Sequence, residues 1–216
     1  MTIEILPLAP ADHRPKPTDE KALGFGRHFS DRMFVMEYAV GKWNNPRIQK
    51  YEAISLQPSA MCLHYAQEIF EGLKAYWSAD GRVLMFRQEM NIARMNRSAA
   101  ALQMPAIDSD LFLRGMKQLV ELERDWIPKT EGCALYVRPT MIATDPFLGV
   151  RPSDNYLFFI IVGPVGAYYP KGFVPVSIMV SETYVRAVRG GIGACKAAAN
   201  YAASLAGQVE AKQKGF

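Results

Sequence analysis

The sequence GIGACKAAANYAASL, residues 191–205, places one lysine, Lys196, between a glycine-rich approach and an alanine-rich segment that favours helix. Tyr201 follows closely enough to share a ligand with Lys196 if a helix begins between them. A lysine amine becomes a nucleophile where its environment lowers its pKa, and a nearby phenol can then hold an aromatic aldehyde bonded to that amine. The competing interpretation is a solvated lysine before an ordinary helix, so the stretch needs support from the rest of the chain.

The bulk composition is that of a globular protein. The 216 residues are 50% hydrophobic and 21% charged, which allows a substantial buried core. The formal net charge is only +4, and the basic residues are scattered rather than clustered. No apolar stretch approaches the length of a membrane span. We therefore expect neither nucleic acid nor a membrane among the partners.

The cysteines and histidines argue against a metal site. Cys62, Cys133 and Cys195 are widely spaced, without a paired-cysteine motif, and the three histidines lack the spacing of metal ligands. An odd number of scattered cysteines is typical of a reducing compartment. We therefore predict a cytoplasmic protein without a bound metal.

Hydrophobic periodicity predicts a mixture of strands and helices. We predict strands over 31–40, 73–77, 83–86, 134–142 and 156–162, with a further strand beginning near Val176. Asp80-Gly81 predicts a hairpin turn, and Asp108 a helix cap. Helices are predicted over 89–102, from Ser109 to about residue 126, and over 197–214, with a short helical turn over 64–71.

The order of these elements predicts an α+β fold in two unequal parts. Residues 1–162 would form a small α/β domain, residues 163–173 a linker rich in glycine, proline and aromatics, and residues 174–216 the start of a second domain. About forty residues are too few for an independent domain of ordinary size. We expect the second domain to be incomplete; the alternative is a small terminal appendage.

The strand over 134–142 carries a candidate anion site. Side chains alternate across a strand, so Tyr136, Arg138 and Thr140 share one face, opposite the apolar Leu135 and Val137. A phenol and a guanidinium side by side suit a carboxylate ligand. An ordinary half-exposed strand would show the same pattern.

Two further segments contain candidate binding groups. Arg94 and Arg97 lie three apart on a predicted helix, so one can face a phosphate while the other faces solvent. In the aromatic segment 63–76, Tyr65 and Phe70 are candidates to line an apolar pocket, with Gly72 permitting a close backbone turn. We interpret its histidine, His64, as structural.

Taken together, these segments resemble the branched-chain amino acid aminotransferases, which are pyridoxal-phosphate enzymes of fold type IV. The most specific motifs are LHYAQEIFEGLKAY at 63–76, ALYVRP at 134–139, LGVRP at 148–152 and GIGACKAAANYAASL at 191–205. The resemblance covers nearly the whole chain. It implies a complete N-terminal small α/β domain followed by the beginning of the larger, cofactor-binding domain.

The resemblance also implies roles for individual residues. Lys196 would bond to the pyridoxal 5'-phosphate aldehyde and move the substrate proton, and Tyr201 would hydrogen-bond the phenolic oxygen of the cofactor. Arg94 would hold the phosphate, with Arg186 as a possible assistant. The substrate pocket would include the following residues: Tyr65, Phe70, Tyr136, Arg138, Leu148 and Val150.

The implied reaction is transfer of the amino group of leucine, isoleucine or valine to 2-oxoglutarate. Arg138 would bind the distal carboxylate of 2-oxoglutarate or glutamate. In this family the segments carrying Tyr65, Leu148 and Val150 reach towards the neighbouring subunit's site, which implies a homodimer.

The chain departs from the family pattern in two ways. Ala198-Ala199 stand where a glycine pair often precedes the Asn-Tyr. The family also places the acid that pairs with the pyridine nitrogen, and the rest of the phosphate cup, in sequence beyond Phe216. We therefore expect little or no activity from the 216 residues alone. Alternatives are a D-amino acid aminotransferase or aminodeoxychorismate lyase of the same fold, or a non-catalytic, dimer-forming fragment.

Overall fold

An eight-stranded sheet organises the computed structural model, which describes residues 1–169, 172 and 174–216. The strands are β1 (Glu4–Ile5), β2 (Arg32–Ala39), β3 (Lys42–Lys50), β4 (Glu68–Phe70), β5 (Leu73–Trp77), β6 (Val83–Met85), β7 (Ala134–Ala143) and β8 (Tyr156–Val165). The α-helices are α1 (Met61–Tyr65), α2 (Gln88–Ala101), α3 (Ser109–Leu122) and α4 (Ala198–Gln213). The mixed α/β class predicted from the sequence is confirmed.

The strands are ordered β1-β3-β2-β8-β7-β5-β6, and β4 pairs with β7 beside β5. Every pairing is antiparallel except the short one between β1 and β3. The central strand β7 is therefore flanked by β8 on one side and by β4 and β5 on the other. This arrangement brings three separate segments of the chain to one strand.

Helices α2 and α3 cover one face of the sheet and form the core with it. The Asp108 carboxylate caps α3 by accepting from the backbone N–H of Leu111 at 2.8 Å, as predicted. The large core side chains on both sides of this interface are fully or almost fully buried: Phe34, Ile92, Met95, Phe112, Met116, Val137, Phe158 and Ile160. Burying each such side chain contributes roughly 1.5–3 kcal/mol, so this interface is a large contributor to stability.

The alternation predicted for β7 is confirmed. Leu135, Val137 and Met141 are buried in the core. On the opposite face Tyr136 and Arg138 are partly exposed, whereas Thr140 is buried. Because residues paired across antiparallel strands share a face, the pairing of β4 with β7 places Phe70 on the same side as Arg138. The polar face of β7 therefore lies beside the aromatic segment.

Strand β3 was not predicted, because Asn44, Asn45 and Pro46 together are typical of a loop. The register between β2 and β3 shifts at this point, and Asn45 has a φ of 49°. Such a bulge accommodates a proline, which has no N–H for the ladder. The strand continues on both sides of it.

The segment predicted as a helical turn over 64–71 is part helix and part strand. Helix α1 ends at Tyr65, Ala66 takes a left-handed conformation with a φ of 51°, and β4 begins at Glu68. The prediction is wrong from Glu68 onward, because pairing with β7 decides the conformation there.

The strand predicted near Val176 is also wrong. Residues 174–180 form no strand, and the side chains of Val176, Ile178 and Val180 are exposed, with Ile178 at 80%. An alternating segment becomes a strand only when a neighbour takes up its backbone hydrogen bonds, and no described strand pairs with this one.

The predicted linker over 163–173 begins within a strand, since β8 continues to Val165. Residues 170, 171 and 173 lie outside the described residues. The division into domains at this point stays a prediction.

Helix α4 matches its predicted position, and Gly215 follows it with a φ of 84°, the conformation expected just after a helix. Among the described residues, no helix is both long enough and apolar enough to cross a bilayer.

Candidate active site

Strand β4 and the residue after it connect the sheet to the lysine segment. On one side the backbone N–H of Glu71 donates to Pro139 O at 2.8 Å, continuing the contact with β7. On the other side the N–H of Phe70 donates to Lys196 O at 3.0 Å, and Ile69 forms a β-bridge with Ala197. This short segment therefore places Lys196 next to the polar face of β7.

Two buried polar side chains hold the turn that precedes α4. The Ser98 hydroxyl on α2 accepts from the backbone N–H of Lys196 at 2.9 Å. The Asn200 amide donates to Ile192 O and Cys195 O, each at 2.8 Å. Because these bonds fix the backbone on both sides of Lys196, its side chain leaves the turn in a defined direction.

The Lys196 amine lies among aromatic rings. Its Nζ donates to the hydroxyl of Tyr201 and lies 4.5 Å from the centre of the Phe70 ring. The rings of Phe70 and Tyr201 are themselves in contact, with centroids 4.8 Å apart. The sequence prediction that Lys196 and Tyr201 can share one ligand is consistent with this geometry, since amine and phenol face the same space.

Arg94, on α2, is held by a buried acid. Its Nε and Nη2 donate to the two carboxylate oxygens of Glu71 at 2.6 and 2.7 Å. This pairing raises the pKa of the Arg94 guanidinium, so the group stays charged at any relevant pH. Arg97, one turn further along α2, is exposed to solvent. The structure therefore separates the two arginines as the sequence spacing suggested.

A cleft of about 440 Å³ lies beside the lysine. Arg94, Lys196 and Tyr201 line it together with Arg186, whose guanidinium lies 3.5 Å from Gly193 O. An amine, a phenol and two guanidinium groups around one cleft can hold an anionic carbonyl compound. All four residues that the sequence assigned to a cofactor are thus brought together.

A second group of predicted residues adjoins the cleft across Phe70. The Arg138 guanidinium stacks on the Phe70 ring at 4.5 Å and donates to the Tyr136 hydroxyl at 3.0 Å. Gly72 makes this arrangement possible, because a Cβ there would lie 2.1 Å from the Tyr136 hydroxyl oxygen. The glycine is needed for close approach of a side chain rather than for a turn. Phe25 closes the other side of Tyr136, with ring centroids 4.9 Å apart.

The surroundings of Arg138 leave part of its hydrogen-bonding capacity unused. Its Nε is buried and has no partner among the described residues. Arg32, far from the cleft, has the same unpaired Nε, so this atom alone does not identify a ligand site. Near Arg138, burial raises the pKa of Glu68, and the positive charge of Arg138 acts in the opposite direction.

Three predicted pocket residues lie elsewhere. Tyr65, on α1, and Leu148 and Val150, in the loop after β7, are exposed and do not line the cleft beside Lys196. Helix α1 and this loop are joined by the Met61 N–H, which donates to Asp145 O at 3.0 Å. The three residues therefore belong to two segments that meet beyond the end of β7, and their reach to a neighbouring subunit's site stays a prediction.

Sequence reasoning missed the buried groups that position the site. Glu71 lies within the FEG motif but carries no pattern that marks it as the partner of Arg94. Ser98 and Asn200 follow helical and alanine-rich stretches, where a small polar residue is unremarkable. Only their burial and their partners identify them, and neither is local information.

Metal binding has no support in this region. Among the residues that the structure describes, no group of three or more His, Cys, Asp or Glu side chains is placed to hold an ion. His64 has a structural contact, with Nε2 2.9 Å from Pro58 O, as the sequence interpretation proposed.

Comparison with curated proteins places the chain among known sequences. It is 53% identical over 204 residues to branched-chain-amino-acid aminotransferase 2 of Bacillus subtilis, covering 94% of this chain and 56% of that protein. It is 47% identical over 221 residues to a probable branched-chain-amino-acid aminotransferase of Streptomyces coelicolor, covering 61% of that protein. No protein-family model matches.

Solved structures share the fold. The branched-chain amino acid aminotransferase of Escherichia coli aligns over 86% of this chain with a TM-score of 0.62 and 24% identity. The branched-chain aminotransferase of Thermoproteus uzoniensis aligns over 86% with a TM-score of 0.65 and 20% identity. The chain spans 56% and 58% of these two proteins. The resemblance predicted from the motifs is confirmed: the chain is related in sequence to the branched-chain aminotransferases over 94% of its length, and it spans a little more than half of the curated relatives it matches.

Proposed function

We propose that this chain forms part of a pyridoxal-phosphate enzyme that transfers the amino group of leucine, isoleucine or valine to 2-oxoglutarate. One observation carries the proposal: the Lys196 amine meets the Tyr201 hydroxyl against the Phe70 ring, in a cleft that Arg94 also lines. The identity of 53% with a branched-chain-amino-acid aminotransferase supports it.

The residues around the cleft fit pyridoxal 5'-phosphate. Lys196 would hold its aldehyde carbon, and Tyr201 its phenolic oxygen. Arg94 would receive the phosphate, with Arg186 as a second cation at the cleft. A cleft of about 440 Å³ is within the size range of small-molecule sites. The donor set is therefore complementary in both charge and chemistry.

Proton transfer is the central task of the chain's own residues. Pyridoxal phosphate, when bound, acts as an electron sink and makes the α-proton of the substrate acidic. Once the substrate amine has replaced it at the aldehyde carbon, the freed Nζ of Lys196 would take up that proton as a base and return it as an acid. Its backbone is fixed by Ser98, and Tyr201 and Phe70 direct its side chain, so the amine stays within reach of one position in the cleft.

Substrate binding would use the second group of residues. Arg138 and Tyr136 offer a guanidinium and a hydroxyl to the distal carboxylate of 2-oxoglutarate or glutamate. Stacking on Phe70 gives Arg138 an apolar neighbour, so a branched aliphatic side chain can occupy the same region. One pocket can therefore accept both kinds of substrate in turn.

We also propose that the enzyme is a cytoplasmic homodimer. All three cysteines are free thiols, as is usual in a reducing compartment. Tyr65, Leu148 and Val150 present apolar surface on α1 and the loop after β7, which would contact the second subunit. The 216 residues alone should turn over slowly, because Lys196 and Tyr201 are partly open to solvent.

Borohydride reduction tests the cofactor proposal. The chain is mixed with pyridoxal phosphate, reduced, digested and mapped by mass spectrometry. We expect one dominant pyridoxyl group, on Lys196, and its loss in K196A. The matched control is K212A, which removes an exposed lysine of α4 and should leave the label on Lys196 unchanged. Equal labelling of many surface lysines, unaffected by K196A, would refute the proposal.

Substrate choice is tested by the first half of the reaction. The loaded chain is mixed with leucine, valine, glutamate or D-leucine, and the absorbance of the bound aldehyde is followed. We expect the three L-amino acids to consume it and D-leucine to leave it unchanged. Arg138→Gln should slow glutamate more than leucine, because only glutamate carries a second carboxylate. Faster consumption by D-leucine would point to the D-amino acid alternative.

A further inference from the structure

The acid behind Arg94 is completely buried and fully hydrogen-bonded. The Glu71 carboxylate accepts from Nε and Nη2 of Arg94 at 2.6 and 2.7 Å. It also accepts from Asn91 Nδ2 at 2.9 Å and from the backbone N–H of Gly72 at 3.3 Å. The Glu71 carboxylate is therefore held both by side-chain donors on α2 and by a backbone N–H that follows β4.

This pairing leaves one edge of the guanidinium free. A guanidinium has five N–H donors in a rigid plane, and Glu71 takes the pair formed by Nε and Nη2. Three N–H groups on the terminal nitrogens have no partner among the described residues, and two of them, one on each nitrogen, form the terminal edge that Glu71 does not occupy. The Arg94 side chain is 43% exposed and lines the cleft beside Lys196, so its free edge is accessible to a ligand.

We propose that Glu71 is a positioning residue that fixes Arg94 with its terminal edge towards the cleft, as a preorganised receptor for the cofactor phosphate. This inference rests on the proposed function, because the phosphate is that of pyridoxal phosphate. Glu71 itself lies behind the guanidinium and would not touch the ligand.

Preorganisation has to outweigh an opposing electrostatic effect. A negative charge next to Arg94 lowers the attraction that the guanidinium exerts on an anion. A free arginine, however, must give up considerable rotational freedom when it binds, whereas one held by a bidentate acid has already lost it. Removing the acid should therefore weaken phosphate binding if orientation dominates, and strengthen it if charge dominates. The sign of the change distinguishes the two.

The test follows the Arg94 Nε–H signal by nuclear magnetic resonance during titration with inorganic phosphate. The signal is assigned by its loss in R94K. We expect a saturable shift in the original chain and at least about tenfold weaker phosphate binding in E71Q, the size of effect typical for losing a charge-assisted hydrogen bond. The matched control is E123Q, because Glu123 is an equally buried acid paired with an arginine outside the cleft. Its phosphate binding should be unchanged.

Other outcomes overturn the inference. Equal or tighter phosphate binding by folded E71Q, an equal loss in E123Q, or no response of Arg94 to phosphate in the original chain would each do so. If E71Q does not fold, N91A takes its place; it removes one donor to Glu71, and we expect about threefold weaker binding. Unchanged phosphate binding in N91A would then overturn the inference.

The borohydride experiment keeps the two proposals separate. Labelling of Lys196 together with an unresponsive Arg94 would leave the cofactor proposal intact and remove the role of Glu71. A phosphate response that depends on Glu71, without labelling of Lys196, would leave Glu71 as the residue that orients Arg94 for a phosphate group and would remove pyridoxal phosphate as the source of that group.

Discussion

Two buried glutamates each hold an arginine, but the arginines differ in their access to solvent. Glu71 and Glu123 are 0% and 1% exposed. Their partners are Arg94, at 43% exposure, and Arg32, at only 19%. The pair of Glu123 and Arg32 is therefore enclosed, whereas the pair of Glu71 and Arg94 is open to solvent on the arginine side.

The enclosed pair joins parts of the chain that are distant in sequence. Glu123, just after α3, accepts from Arg32 Nη1 at 2.8 Å and from the backbone N–H of Asp31 at 2.9 Å. Asp31 in turn contacts His13 Nδ1 at 2.9 Å and accepts from the N–H of Arg14 at 2.8 Å. This network attaches the N-terminal arm to the sheet and to α3, so its role is structural.

The difference shows how to separate a structural pair from one that serves a ligand. In both pairs the acid is buried and accepts from the arginine, so burial and hydrogen bonding of the acid do not discriminate. What discriminates is whether the guanidinium keeps a free edge that lines a cleft, as Arg94 does and Arg32 does not. The same substitution should therefore cost more stability at Glu123 and more ligand binding at Glu71.

The largest expected effect is a loss of unfolding free energy, and this loss should be greater for the Glu123 pair than for the Glu71 pair. E123Q should lower the free energy of unfolding by about 3 kcal/mol, because it leaves the enclosed Arg32 charge without a counter-ion. E71Q should cost about 2 kcal/mol, since water can reach Arg94. Urea unfolding of both variants measures the difference. A larger loss in E71Q than in E123Q would contradict the distinction.

A smaller effect is expected next to Glu71, at Gly72. G72A should lower the free energy of unfolding by about 1–3 kcal/mol, because the new Cβ would lie 2.1 Å from the Tyr136 hydroxyl and displace that ring. The matched control is G207A in α4, where a Cβ meets nothing closer than 3.7 Å. There alanine should be neutral or stabilise by up to about 1 kcal/mol. Thermal unfolding of the two variants measures the difference. Equal destabilisation by G72A and G207A would contradict the steric contact expected between a Cβ at position 72 and Tyr136.

The smallest effect concerns a third buried acid with an arginine, Asp145. Burial works against its ionisation, but the N–H of Asp154, the Asn155 amide and the Arg151 guanidinium outweigh it, and together they lower the pKa of Asp145. We expect D145N to cost about 1–2 kcal/mol at neutral pH, through lost bonds to a charged acceptor.

The pH dependence of that loss follows from the direction of the pKa shift. Because the folded-state pKa lies below the ordinary value of about 3.9, the ionised carboxylate contributes its full stabilisation above that pH. The contribution disappears as the pH falls through the lower, folded-state pKa. The difference in unfolding free energy between the original chain and D145N should be constant from pH 7 to 5 and shrink below about pH 4. A difference that grows on acidification would have the wrong sign.

The sequence alone determined the elements that depend on local periodicity. The bounds of α2, the Asp108 cap of α3 and the inward and outward faces of β7 follow from neighbours a few residues apart. The four motifs also identified the family, because their order and spacing are specific, and they selected Lys196, Tyr201 and Arg94 for one site.

Only the tertiary structure decided how that site is supported. Glu71 and Arg94 are 23 positions apart, and Lys196 and Ser98 are 98 apart, so no periodic pattern relates them. Strand β3 forms in spite of its Asn-Asn-Pro run, and β4 forms where a helical turn was predicted, because neighbouring strands take up their backbone hydrogen bonds. The alternating segment at 174–180 has no described partner and forms no strand. Partners distant in sequence supply the hydrogen bonds that local propensity cannot, and here they position the lysine and the arginine.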